Sequence, residues 1–143
     1  MPYGIAFSPA DGAAWVALEG TGQLLRLDGS GAATGSVAVG PNARQVSISS
    51  DGARVLVSRF ITPPLPGEAT AAVQTAGRGG EVVVVNAGTL VVQSTAVLAH
   101  SDKDDNTLQG RGVPNYLGAA VISPDGASAW VPSKQDNILR GTL

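Results

Sequence analysis

Three stretches of this chain align with one another without gaps: Ala6 to Val16, Ser47 to Val57 and Val121 to Val131. Each runs from apolar residues through a serine and an Asp-Gly pair into a second apolar run. The serines Ser8, Ser49 and Ser123 stand 41 and 74 residues apart, and each precedes a bulky apolar residue, Trp15, Leu56 or Trp130, by seven positions. A recurrence of this length constrains the fold more than any composition does, because a unit of about forty residues must be a supersecondary element that buries its apolar surface against copies of itself.

Each unit reads as strand, tight turn, strand, since Asp and Gly accept the backbone conformations that short hairpins require. The Asp-Gly pair sits one residue later in the first unit, where Ala10 is inserted, which leaves the register of that hairpin open. The first unit continues with Gln23 to Asp28 and a weaker run around Ser36 to Val39. The second continues with Glu81 to Asn86 and Val91 to Val97, rich in the β-branched residues that suit a pleated sheet. Four strands per unit and a period near forty predict an all-β fold, a β-propeller of four-stranded antiparallel blades, with a β-sandwich or open meander as the alternatives.

The expected division is one partial propeller domain over 1–143, about two and a half blades: blade one at about 1–40, blade two at about 41–113 and a partial blade three at about 114–143. Two insertions, about 61–78 and 99–113, account for most of the longer second spacing. Two and a half blades cannot close a ring, since propellers use about four to eight. The expectation is therefore a piece of a longer protein, with ring completion by association as the alternative, and the open faces predict self-association.

The residues Gly4-Ile5-Ala6-Phe7-Ser8-Pro9, Asp11-Gly12, Trp15-Val16-Ala17 and Leu25-Arg26-Leu27-Asp28, followed by Val39-Gly40-Pro41, resemble the YVTN-type propeller repeats of lactonase-like and surface-layer-like proteins. The Tyr-Val-Thr-Asn motif itself is replaced by Trp15-Val16-Ala17-Leu18, Leu56-Val57-Ser58-Arg59 and Trp130-Val131-Pro132-Ser133. A finer resemblance rests on Gly110 to Gly118, Ser123 to Gly126 and Pro132 to Asn137, which look like bacterial exported propellers fused to c-type cytochrome or peroxidase-like domains. These resemblances imply a bacterial periplasmic, extracellular or cell-surface protein. They also imply haem c in a domain outside this chain, because a sequence without cysteine has no Cys-x-x-Cys-His motif.

Composition narrows the functions. Hydrophobic residues make up 43% and charged residues 14%, with 19 glycines and 9 prolines, which favours buried strands and turns over helices or disorder. A net charge of −2, with scattered arginines and only Lys103 and Lys134 as lysines, offers no basic stripe for nucleic acid. No stretch approaches the ~18 apolar residues of a membrane-spanning helix.

In an up-and-down blade the loop between strands two and three and the loop to the next blade emerge on one face, so both insertions should be neighbours there. That face is the expected functional surface. The first insertion, with Pro63, Pro64 and Pro66, reads as a flap or contact segment. In the second, Asp102, Asp104 and Asn106 place oxygen ligands at alternate positions, as a calcium ion prefers. The match to a helix-loop-helix calcium site fails, because Thr107 replaces its glycine and Val113 its glutamate, and a solvated acidic loop is the competing reading. His100 is the chain's one histidine. The repeat serines are expected to cap turns rather than act as nucleophiles, and Trp15 and Trp130 to pack between blades.

The residues show no catalytic cluster and favour a non-catalytic binding or scaffolding segment with a protein partner or the remaining blades against it. The alternatives are the propeller portion of an electron-transfer protein and a lactonase- or lyase-like enzyme with a metal or base at the channel mouth.

Overall fold

The computed structural model describes residues 1–61, 79–98 and 114–135, and within them the chain is all-β. The first sheet is an antiparallel meander of β1 (Pro2–Phe7), β2 (Ala14–Leu18), β3 (Gln23–Leu27) and β4 (Ala33–Ala38). The second repeats it with β5 (Ala43–Ile48), β6 (Arg54–Arg59), β7 (Glu81–Asn86) and β8 (Val91–Val97). A third hairpin is formed by β9 (Pro114–Asn115) and β10 (Val121–Ile122) on one side and β11 (Ala129–Trp130) and β12 (Lys134–Gln135) on the other.

The one-residue slip of the first Asp-Gly pair does not alter the hairpin register. Phe7 pairs with Ala14, Ile48 with Val55 and Ile122 with Ala129, which are the same repeat positions in all three units. The turn glycines Gly12, Gly52 and Gly126 all adopt positive φ, at 72°, 70° and 68°, so the turn absorbs the slip.

The leading strand of each unit carries an irregularity that the repeat pattern does not announce. Register shifts between Pro2 and Ile5 in the first sheet and between Ala43 and Gln45 in the second. In the third unit the break is wide enough to split the strand into β9 and β10, yet Asn115 still faces Lys134 and Val121 still faces Trp130 across one hairpin. The expected fourth strand around Ser36 to Val39 begins earlier, at Ala33, and stops at Ala38. Gly40 turns the chain away at φ 87°, and Val39 is instead buried with its amide on the Gly22 carbonyl at 2.8 Å.

The core lies between sheets. Trp15, Ala17 and Leu24 of the first sheet pack on Val46, Val55, Val57, Val83 and Val85 of the second. A smaller cluster, Leu56, Val82, Leu117 and Ala120, joins the second sheet to the third unit. Burial of each large apolar side chain stabilises the packing by about 1.5–3 kcal/mol. The sheets touch most closely through their leading strands. A Cβ on Gly4 would lie 2.1 Å from the Arg44 carbonyl oxygen, so β1 sits against β5 only because that residue has no side chain.

Candidate functional site

The first-strand ends and the roots of the two insertions share one face. Gly79 approaches Leu98 so closely that a Cβ would meet its carbonyl oxygen at 1.6 Å and the Pro114 ring at 3.5 Å. Leu98 donates its amide to the Gly80 carbonyl at 2.9 Å, and Leu117 donates to that of Phe60 at 3.2 Å. The expected proximity of the two loops holds at these roots. Asp102, Asp104, Asn106 and His100, the proposed calcium ligands and the lone histidine, lie outside the described residues, as do 62–78.

On this face the structure assembles a row of aromatic rings and cations that the sequence alone did not disclose. The Arg44 guanidinium lies 3.6 Å from the Phe60 ring centroid and 4.6 Å from that of Tyr3. Its Nε donates to Glu19 at 2.5 Å, which ties the second sheet to the first. Phe60 meets Tyr116 edge to face, with centroids 5.1 Å apart at 72°, and Lys134 Nζ sits 5.2 Å from the Tyr116 ring. The row crosses all three units. Each contact is of the cation–π or edge-to-face kind, attractive by about 0.5–1.5 kcal/mol.

Beneath the row lies a second ion pair. Arg59, 9% exposed, bonds Glu81 through Nη1 and donates from Nε to the Pro41 carbonyl at 2.9 Å. Its guanidinium fills the space over Gly40, where a Cβ would come within 2.9 Å. The pair therefore locks the connection between the first and second sheets to the adjoining ends of β6 and β7. In the first sheet the same positions are Leu18 and Gln23, so the repeat gives no hint of it.

The opposite face consists of closed turns. Ser49 Oγ accepts the Arg54 amide at 3.0 Å and donates to Asp51 Oδ1 at 2.5 Å, while Asp51 accepts the Ala53 amide at 2.9 Å. Ser123 and Asp125 repeat this with Ser128 and Ala127. The serines cap turns, as expected. Hydrogen bonds from Ser49 and Ser123, followed by the turn amides, hold the Asp51 and Asp125 carboxyls below the usual range. Asp11 is lowered to about 2 by the Ser8 hydroxyl, the Ala13 amide and Arg26, whose Nη2 lies 2.6 Å away.

Two cavities open on this side, of about 230 Å³ by Ser8, Trp15 and Gly52 and about 130 Å³ by Ser49, Leu56 and Gly126. They occupy equivalent repeat positions, so they follow from how sheets splay apart and not from a built ligand site. Of the two tryptophans, Trp15 packs between sheets at 1% exposure, whereas Trp130 is 65% exposed. Gly79 and Gly80 lead into β7 rather than a helix, and so do not form a phosphate loop. Gly110 to Gly112 lie outside the described residues. Among the described residues no group of three or more His, Cys, Asp or Glu is placed to hold a metal, and no helix is long and apolar enough to cross a membrane.

No protein-family model matches the chain, and no curated protein matches it. Among solved structures it is similar to hydrazine synthase of Kuenenia stuttgartiensis, with a TM-score of 0.63 and 19% identity over 91% of this chain and 28% of that one. It is also similar to dihydro-heme d1 dehydrogenase NirN in complex with DHE, with a TM-score of 0.51 and 20% identity over 94% of this chain and 33% of that one. This chain thus spans about a third or less of the length of either. Both neighbours are propeller proteins, and the four-stranded meanders stacked through their leading strands agree with them: the chain folds as part of a β-propeller.

Proposed function

We propose that this chain is the propeller portion of a haem-linked, exported bacterial protein, and that it serves as a rigid frame against which a separate haem-bearing domain docks. The likeness to NirN, a dehydrogenase named for dihydro-heme d1, carries this reading. The resemblance of Gly110 to Gly118 and Pro132 to Asn137 to propellers fused to c-type cytochrome domains supports it independently. Assignment to the YVTN type and a periplasmic location belong to the same proposal.

The donor set of the described residues does not suit covalently attached haem, and His100 lies outside them. The chain has no cysteine for thioether attachment, and among the described residues Met1, 86% exposed, is the one side chain of the His, Cys or Met type that ligates haem iron axially. No electron-transfer step is therefore assigned to its residues. What the segment supplies is the row from Tyr3 to Lys134, two cations backed by aromatic faces, with Arg44 held by Glu19. Such a surface suits contact with a carboxylate-bearing partner domain, since arginine and aromatic residues are the usual anchors of protein contacts.

The test is to express the whole natural reading frame under conditions that mature c-type cytochromes and to record its visible spectrum and pyridine haemochrome. A Soret band and a Cys-x-x-Cys-His motif beyond this segment are expected. A reading frame without such a motif and a protein without Soret absorbance would overturn the proposal in favour of a haem-free binding propeller.

A further inference from the structure

The junction between the first and second sheets and the junction between the second sheet and the third unit occupy the same place in successive repeats. Their buried residues therefore compare position by position. On the leading side, Trp15, Ala17 and Leu24 of the first sheet give way to Leu56, Ser58 and Val82 of the second. On the facing side, Val46 and Val55 give way to Ala120 and Ala129. The larger replacements, Ala43 to Leu117 and Val39 to Leu98, both lie at the insertion face. Away from that face the second junction fills the same space with smaller apolar side chains, and packing attraction falls with the volume lost.

Ser58 weakens the second junction further. Leu56 and Ser58 share the β6 face that meets the third unit, and Ser58 stands opposite Val82 of the same apolar cluster. The residue is 1% exposed, and its hydroxyl has no hydrogen-bond partner among the described residues. A buried hydroxyl of this kind opposes closure, because opening returns it to water, whereas Ala17 carries no such penalty. Polar contacts hold the third unit instead. Ser47 Oγ donates to the Ala120 carbonyl at 2.6 Å, Ser50 Oγ to that of Pro124 at 3.0 Å and Arg54 Nη2 to that of Gly126 at 2.9 Å. The last two are exposed, and water competes for them. The open cleft is the larger one at the first junction, about 230 Å³ against about 130 Å³, so the difference resides in the buried contacts.

We propose that the junction between the second sheet and the third unit is a seam, at which this propeller opens before the junction between the first two sheets does. Leu98 lies on one side of the seam and Pro114 on the other. Opening therefore parts the roots of the second insertion, breaks the bond from the Leu117 amide to the Phe60 carbonyl and separates Phe60 from Tyr116. By linkage, a partner that contacts both of those rings holds the seam shut, and one that contacts a single unit does not. This inference is independent of whether a haem domain exists.

The test uses the protein from the whole natural reading frame with one thiol added, since this segment has no cysteine of its own. Ala120→Cys places it at the seam and Ala17→Cys at the first junction, both buried positions. Labelling of the native protein by iodoacetamide then reads how often each junction opens. The seam position should label about ten times faster than the other. Adding Ser58→Ala, which copies Ala17 of the first sheet, should slow labelling at the seam about tenfold and leave the first junction unchanged. Equal rates at the two junctions, or an effect of Ser58→Ala that is absent or common to both, would overturn the proposal. Should the added thiols prevent folding, hydrogen exchange at the Leu117 amide replaces them. Ser58→Ala should slow that exchange about tenfold, and an exchange rate that does not respond sinks the idea.

Discussion

Asn42 and Tyr116, 74 residues apart, occupy the same position of successive repeat units and share a left-handed backbone, with φ of 60° and 54°. Asn42 leads directly into β5, whose register shifts between Ala43 and Gln45, and Tyr116 opens the gap between β9 and β10. The conformation costs an ordinary L-residue about 1–2 kcal/mol, and asparagine less because its short side chain tolerates it. The irregularity is thus a property of the blade and not of one residue type.

Asn42→Ala should lower stability by about 1 kcal/mol, whereas Asn42→Gly should stay within a few tenths of wild type. Urea unfolding of the two variants checks this. Equal losses would mean that the side chain, not the backbone, holds the break.

Removing the Arg59 guanidinium strands Glu81 and the Pro41 carbonyl in a region with little water, so Arg59→Ala should cost roughly 3 kcal/mol. The double substitution Arg59→Leu with Glu81→Gln copies Leu18 and Gln23 from the first sheet, and should recover more than half of that loss. Denaturant midpoints of the single and double variants decide it.

Trp15→Ala opens the largest cavity available in the described core and should cost about 3–5 kcal/mol. Chemical denaturation monitored by far-ultraviolet circular dichroism measures the loss, because the remaining tryptophan reports on a different surface.

The turn aspartates set an acid limit. Asp11, Asp28, Asp51 and Asp125 all have carboxyls lowered by hydrogen bonds, beginning with those from Ser8, Ser30, Ser49 and Ser123. A carboxyl lowered in the folded state adds stability above its unfolded value of 3.8, and that contribution disappears as pH falls through the folded value, about 2 for Asp11. The urea midpoint should therefore be level above about pH 5 and decline between about pH 4 and pH 2. Ser8→Ala should flatten part of that decline, and an unchanged profile would show that the hydroxyl does not hold Asp11.

Much of the strand layout follows from the serine spacing alone, since β2, β3, β6, β7 and β8 fall where the aligned units and the β-branched runs place them. The breaks in the leading strands do not, because left-handed backbone at Asn42 and Tyr116 carries no shared residue type. The row from Tyr3 to Lys134 escaped for a related reason. Tyr3 and Arg44 share one repeat position, and Glu19, Phe60 and Lys134 share another, but the residue type differs in every unit, so nothing in the repeat marks them and only folding brings Arg44 between rings that stand 41 and 16 residues away. Trp130 was expected to be packed by analogy with Trp15, but a column of equivalent residues predicts burial only where the next sheet is present.

The turns that close one side of each sheet have a consequence for how such a chain can change. Ser49 and Ser123 spend their hydroxyls on the same backbone and aspartate groups, and the one residue added to such a turn, Ala10 in the first unit, leaves the Ala13 amide on Asp11 and the hairpin register in place. On the other side, the sequence between Phe60 and Gly79 and between Leu98 and Pro114 is longer than in the first unit, while β6, β7 and β8 remain paired beneath it. Lineages of this fold would then diversify mainly from one side, with long additions accumulating over Arg44 and Phe60 while the far rim changes by single residues, as at Ala10.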